Sequence, residues 1–171
     1  MRKTRLLFLI HDKFVNNFES IYNSVKNSNE FEMTVVACDS LPTDYKGKTS
    51  SKEIADYIKS RNIDCIDAFD YQTNSWIDLA QFKADYIFVS TPYDIYRPKE
   101  YSSYRLSMIA KLCSVAYAAT TNIDNDFLLS NPFFYNCSYF FICDENEKTF
   151  SEQMKTSPLN KKICSYSLRQ T

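Results

Sequence analysis

The residues best suited to chemistry are one histidine, His11, and a loop bounded by Pro92 and Pro98. Residues 84–101 read Ala-Asp-Tyr-Ile-Phe-Val-Ser-Thr-Pro-Tyr-Asp-Ile-Tyr-Arg-Pro-Lys-Glu-Tyr. Residues 86–90 are a short apolar run rich in β-formers, and Pro98 stands where a helix would start, its missing amide costing nothing there. In an open α/β sheet ligands collect at the carboxyl ends of strands, which puts Ser90, Thr91, Tyr93, Asp94, Tyr96 and Arg97 on the working edge. His11 ends an earlier apolar run, with Asp12 beside it, and an imidazole there could act as general base toward a hydroxyl. A lone histidine at a strand end is, however, more often a hydrogen-bonded structural residue. Arg97 offers a planar fork to a phosphate or carboxylate, or else a surface ion pair to Asp94 or Glu100. Tyr93, Tyr96 and Tyr101 could stack a sugar or base, or serve as core and rim packing. The expected site is His11 as the catalytic group, with Asp12, Ser90, Thr91, Tyr93, Asp94 and Arg97 binding substrate.

Other strand ends add Asp39, Ser40, Asp70, Tyr71, Thr120, Thr121, Asp144 and Glu145, an acidic and hydroxyl-rich edge. Asp12, Asp70 and Ser90 or Thr91 fit the layout of a phospho-receiver, but the lysine such domains need after the fifth strand is replaced by Ala118-Ala119. No nucleophile-elbow motif is present. The only glycine is Gly47, which excludes a glycine-rich phosphate loop, and no cofactor is expected. Six cysteines without a Cys-x-x-Cys pair, together with one histidine, argue against structural zinc and for free thiols in a reducing cytoplasm. A net charge of −1 with scattered Lys and Arg gives no field for nucleic acid. Met1-Arg-Lys-Thr-Arg and residues 6–10 imitate a signal peptide but end at His11-Asp12-Lys13, so they read as a first strand. No apolar run approaches the roughly 18 residues of a spanning helix.

The elements that must position these groups alternate. Apolar runs at 6–10, 33–38, 63–69, 86–90, 115–118, 139–143 and 163–168 read as strands. Between them, Phe18, Ile21, Tyr22 and Val25 recur at helical spacing, and Ser50-x-x-Glu53 is a capping box before Ile54, Tyr57 and Ile58. Ser75 is expected to cap a short helix burying Trp76, Leu79 and Phe82. A further helix is expected to bury Tyr101, Tyr104, Met108, Ile109 and Leu112, and Asp144-x-x-Glu147 to open a last one over Phe150 and Met154. Residues 119–136 are expected to be irregular, with Phe133, Phe134 and Tyr135 as a local apolar cluster or a partner surface. The whole chain, 1–171, reads as a single α/β domain: a three-layer sandwich with a mostly parallel sheet of about six or seven strands and helices on both faces.

The segment Ala84-Asp-Tyr-Ile-Phe-Val-Ser-Thr-Pro-Tyr-Asp, with Arg97-Pro98 and Tyr101, resembles the amino-terminal half of the CDP-glycerol glycerophosphotransferases of teichoic-acid and capsule assembly. Phe8-Leu9-Ile10-His11-Asp12, Trp76 and Val115-Ala116-Tyr117 follow the same pattern loosely. The resemblance implies a Rossmann-like lobe, the acceptor side of a two-lobed GT-B glycosyltransferase architecture, serving cell-surface polymer synthesis. The implied partners are a phosphate-linked glycerol or sugar donor held by a second lobe and an acceptor polymer or lipid-linked acceptor, with peripheral association at the inner membrane face. Many members carry Trp-His-Gly-Thr-Pro after the fifth strand, where this chain reads Ala119-Thr120-Thr121-Asn122. The second lobe is expected beyond Thr171, so this polypeptide alone is not expected to complete a transfer. The alternative is a non-catalytic flavodoxin-like binding or regulatory domain that holds a protein partner through residues 133–135.

Overall fold

The computed structural model describes residues 2–13, 16–42, 47–115, 131–143 and 162–166. The apolar run at the amino terminus forms β1, Thr4–Ile10, and is followed by α1, Asn16–Val25. Next come β2, Phe31–Ala37, and α2, Ser51–Ser60. The Ser50 side chain caps α2 at the Glu53 amide, and the Glu53 carboxylate returns to the Ser50 amide at 2.9 Å, the reciprocal arrangement the sequence predicts. The chain continues through β3, Ile66–Asp67, and a small hairpin of β4, Phe69–Asp70, with β5, Ser75–Trp76. β6, Tyr86–Val89, leads through the Pro92 to Pro98 loop to α3, Ser103–Ile109, and β7, Lys111–Val115. Last are α4, Pro132–Asn136, β8, Cys137–Cys143, and β9, Lys162–Tyr166.

Among the described residues, seven strands pair in one sheet in the order β3-β2-β1-β6-β7-β8-β9, and every pair is parallel. The chain winds outward from β1 to β3, then returns to the other side of β1 at β6. The order thus reverses between β1 and β6, the switch point at which doubly wound sheets open a crevice beyond their carboxyl ends.

Side chains alternate across the sheet and divide the core in two. Leu7, Leu9, Val36, Ile87, Val89 and Leu112 face the layer of Leu79, Leu106, Phe133 and Phe134. Leu6, Phe8, Ile10, Val35 and Ala37 face Phe18 of α1 and Ile54, Ala55 and Ile58 of α2. The architecture is therefore a Rossmann-like three-layer α/β fold. Among the described residues no helix is long and apolar enough to cross a membrane.

Five expectations require correction. Ser75 caps no helix. The Asp70 carboxylate accepts the amides of Gln72 and Thr73, Asn74 takes φ 51°, and the resulting turn pairs Phe69 with Trp76 in the hairpin. The short helical turn starts later, at Leu79–Phe82, where the Asp78 carboxylate accepts the Ala80 amide at 2.9 Å. Pro98 likewise starts only a single turn, Lys99–Tyr101, before α3. The buried face of α3 is Ser103 and Leu106, leaving Tyr104 63% and Met108 73% exposed, and Leu112 belongs to β7. Phe133 and Phe134 are buried in α4, against Phe140 of β8, so they present no partner surface; Tyr135 alone of the three is exposed. The fifth strand begins at Lys111, ahead of the expected 115–118, whose residues 116–118 lie outside the described ones, as do residues 119–130 and the helix expected after Asp144.

Candidate functional site

The carboxyl edge at the switch point is built by two strand ends and one returning loop. His11 directly follows β1 and Thr91 follows β6 by two residues, and His11 Nε2 lies 3.2 Å from Thr91 Oγ1. The loop then crosses the end of β1, because the Tyr96 carbonyl accepts the amide of Leu41, beyond β2, at 3.0 Å. The ring of Tyr96 lies near-parallel to that of His11, with centroids 6.5 Å apart, and Tyr93 meets Tyr96 edge-on at 5.4 Å. His11 is consequently only 2% exposed, while Thr91, Tyr93 and Tyr96 are half-buried.

Arg97 anchors this loop from inside. It is 1% exposed; its Nη1 donates to the Thr91 carbonyl at 3.0 Å and toward Thr91 Oγ1 at 3.4 Å, and its Nε donates to the Tyr101 carbonyl at 3.3 Å. Its Nη2 pairs with Asp94 Oδ1 at 2.7 Å, and the guanidinium sits over the Phe133 ring, 5.8 Å from its centroid. Burial pulls the Arg97 pKa below its ordinary value, and the Asp94 carboxylate opposes that shift. Asp94 also accepts the Ser103 amide at 2.9 Å and the Ser103 hydroxyl at 2.6 Å, which ties the loop to the first turn of α3. Asn131, the cap of α4, donates to the Pro92 carbonyl at 3.0 Å, and Asn136 donates to Ser103 Oγ at 3.0 Å.

The expected site residues therefore divide. The structure brings His11, Thr91 and Tyr93 together at the edge; Asp12 and Ser90 are their half-buried chain neighbours. Asp94 and Arg97 are engaged with the protein itself, as an interior ion pair and not the surface one weighed from the sequence. Tyr101 is no stacking platform: it is buried, its hydroxyl donates to the Ile77 carbonyl at 2.9 Å, and its ring meets Trp76 edge-on. Burial raises its pKa.

Sequence reasoning missed Ser103, Asn131 and Asn136 as members of the network. The one legible signal was Asn131-Pro132, a helix-start pair. It also missed how the next strand end closes. Asp39 Oδ1 accepts the Ser51 amide at 2.7 Å and Oδ2 pairs with Lys48 at 2.5 Å, so the first turn of α2 already holds a carboxylate. Cys38 and Cys65, beneath this corner, have their pKa values pushed up to about 12 by burial, which keeps them as thiols. Among the described residues no group of three or more His, Cys, Asp or Glu could hold a metal ion.

Comparison with protein-family models, with curated proteins and with solved structures found no match.

Proposed function

We propose that this chain is the acceptor-side lobe of a glycosyl- or glycerophosphotransferase of the GT-B kind, acting in cell-surface polymer synthesis on the cytoplasmic side of the membrane. The observation that carries this reading is the His11–Thr91 pair at the β1/β6 switch point, bordered by Tyr93 and Tyr96. Tyrosine faces suit the apolar face of a polyol or sugar, and a hydroxyl beside an imidazole suits the orientation of an acceptor hydroxyl. The lobe's contribution is orientation and electrostatics, and the donor phosphate is held elsewhere. In this reading Asp94 and Arg97 shape the loop and Thr91, Tyr93 and Tyr96 meet the ligand.

The test is a titration of the ¹⁵N-labelled chain with glycerol 3-phosphate and, separately, with cytidine diphosphate. Millimolar glycerol 3-phosphate should shift the amides of residues 91–96, with no comparable response to the nucleotide. An unmoved loop, or a stronger response to the nucleotide, removes the acceptor reading.

A second reading is a non-catalytic flavodoxin-like binding domain. It is favoured by the burial of His11 and Arg97 and by the internal bonds of the Asp94–Arg97 pair. Silence of the loop toward both small molecules, in a chain whose amide spectrum is well dispersed, supports it.

A further inference from the structure

Thr91 Oγ1 stands between two groups whose demands on it do not compete. His11 Nε2 is 3.2 Å away on one side, and Arg97 Nη1 donates toward the same oxygen at 3.4 Å on the other. A hydroxyl has one proton and two lone pairs, whereas a guanidinium has donors only. Arg97 therefore occupies one lone pair, and with Nε2 unprotonated the Thr91 proton points at the imidazole. The separation from His11 lies at the long end of the range for nucleophile–base pairs in unliganded sites. The guanidinium is fixed by the Thr91 and Tyr101 carbonyls and by Asp94, so it favours negative charge on Oγ1 without rearrangement. Asp94 weakens that field while it holds the fork in place. His11 is covered and Thr91 is half-buried, so the threonine is the more accessible residue of the pair.

We propose that Thr91 is a nucleophile, its hydroxyl held between His11 as base and Arg97 as fixed cation, which takes an acyl group from an activated ester. Oγ1 forms the bond to the carbonyl carbon while its proton passes to His11 Nε2. The ester's alcohol oxygen leaves with the electron pair of the broken C–O bond and is protonated by His11 or by solvent. No oxidant or second reactant is needed.

The test uses the full chain and p-nitrophenyl acetate, with acetylation followed residue by residue through peptide mass spectrometry. Thr73 is the internal reference, an exposed hydroxyl whose Oγ1 pairs at 2.8 Å with Ser75 Oγ and with no imidazole or guanidinium. Thr91 should acetylate about 100-fold faster than Thr73, the lower end of a positioned base's contribution. The adduct should persist in Thr91→Ser, vanish in Thr91→Val, and slow toward the Thr73 rate in His11→Gln. A wild-type chain in which Thr91 reacts no faster than Thr73 overturns the inference, and that comparison needs no variant. An unchanged Thr91 rate in a His11→Gln protein with wild-type near-ultraviolet circular dichroism overturns it too. The outcome is independent of the acceptor reading, because glycerol 3-phosphate takes no part in it.

Discussion

Arg97 Nη2 and Asp94 Oδ1 form an interior ion pair at 2.7 Å, three residues apart in the chain and on the inner side of the switch-point loop. The arginine side chain is fully buried and the aspartate partly so. Between them they bond Thr91, Tyr101 and Ser103, so the loop after β6 and the start of α3 share one polar hub. A buried charge is tolerated only when paired and hydrogen-bonded, and here the loop supplies those partners to the guanidinium.

Removing Asp94 leaves the buried Arg97 without its counter-charge, and removing Arg97 leaves the partly exposed Asp94 with only its Ser103 bonds. Asp94→Ala and Arg97→Met should each lower stability by about 3–5 kcal/mol, read from urea midpoints. The double variant should lose less than the sum of the two, with a coupling of roughly 0.5–3 kcal/mol. Additive losses would mean that the pair is not a unit.

Phe134 and Tyr135 are adjacent in α4 but face opposite environments. Phe134→Ala, which empties a core site stacked on Phe140 at 5.1 Å, should cost about 3–5 kcal/mol. Tyr135→Ala, at an exposed position, should cost less than Phe134→Ala. Equal effects in thermal or urea unfolding would contradict the assignment of this helix to the core.

Cys38, Cys65, Cys113 and Cys137 are buried, and the first two have pKa values pushed up to about 12 by burial. Native protein treated with Ellman's reagent at mildly alkaline pH should leave these four unlabelled, and denaturation should release them. Rapid native labelling at any of the four would show that the core opens there.

At the opposite edge of the sheet, the Asp85 carboxylate accepts the Arg5 amide at 2.9 Å and pairs with Arg2 at 2.6 Å. The Arg5 amide is the first cause holding its pKa below the ordinary aspartate value. A depressed carboxylate stabilises above its unfolded pKa, and that contribution is lost as pH falls through the folded value. The stability difference between wild type and Asp85→Asn should therefore be constant near neutrality and shrink below about pH 4. A difference independent of pH down to about pH 2 would remove Asp85 as the titrating group.

How far the residues alone carried the reading depended on range. Local signals were legible: the Ser50/Glu53 box, the β-rich runs at β1, β2 and β6, and the strand end that carries Thr91 all formed as expected. Where two local signals competed, the reading failed. Ser75 lost to Asp78 because the Asp70 turn had already committed Ser75–Trp76 to a hairpin, and the face of α3 was misjudged because helical spacing does not say which side meets a sheet.

By itself the sequence determined the alternating strand and helix order, hence a three-layer α/β domain, and it confined the candidate site to the strand ends. Those properties follow from side-chain periodicity and capping, which act over a few residues. Only the tertiary structure decided which strand ends meet. The placement of β6 beside β1 brings His11 within 3.2 Å of a threonine 80 residues away, and the burial of the loop turns Arg97 inward toward Asp94. Strand order and burial arise from contacts between distant segments, and no spacing within the chain encodes them.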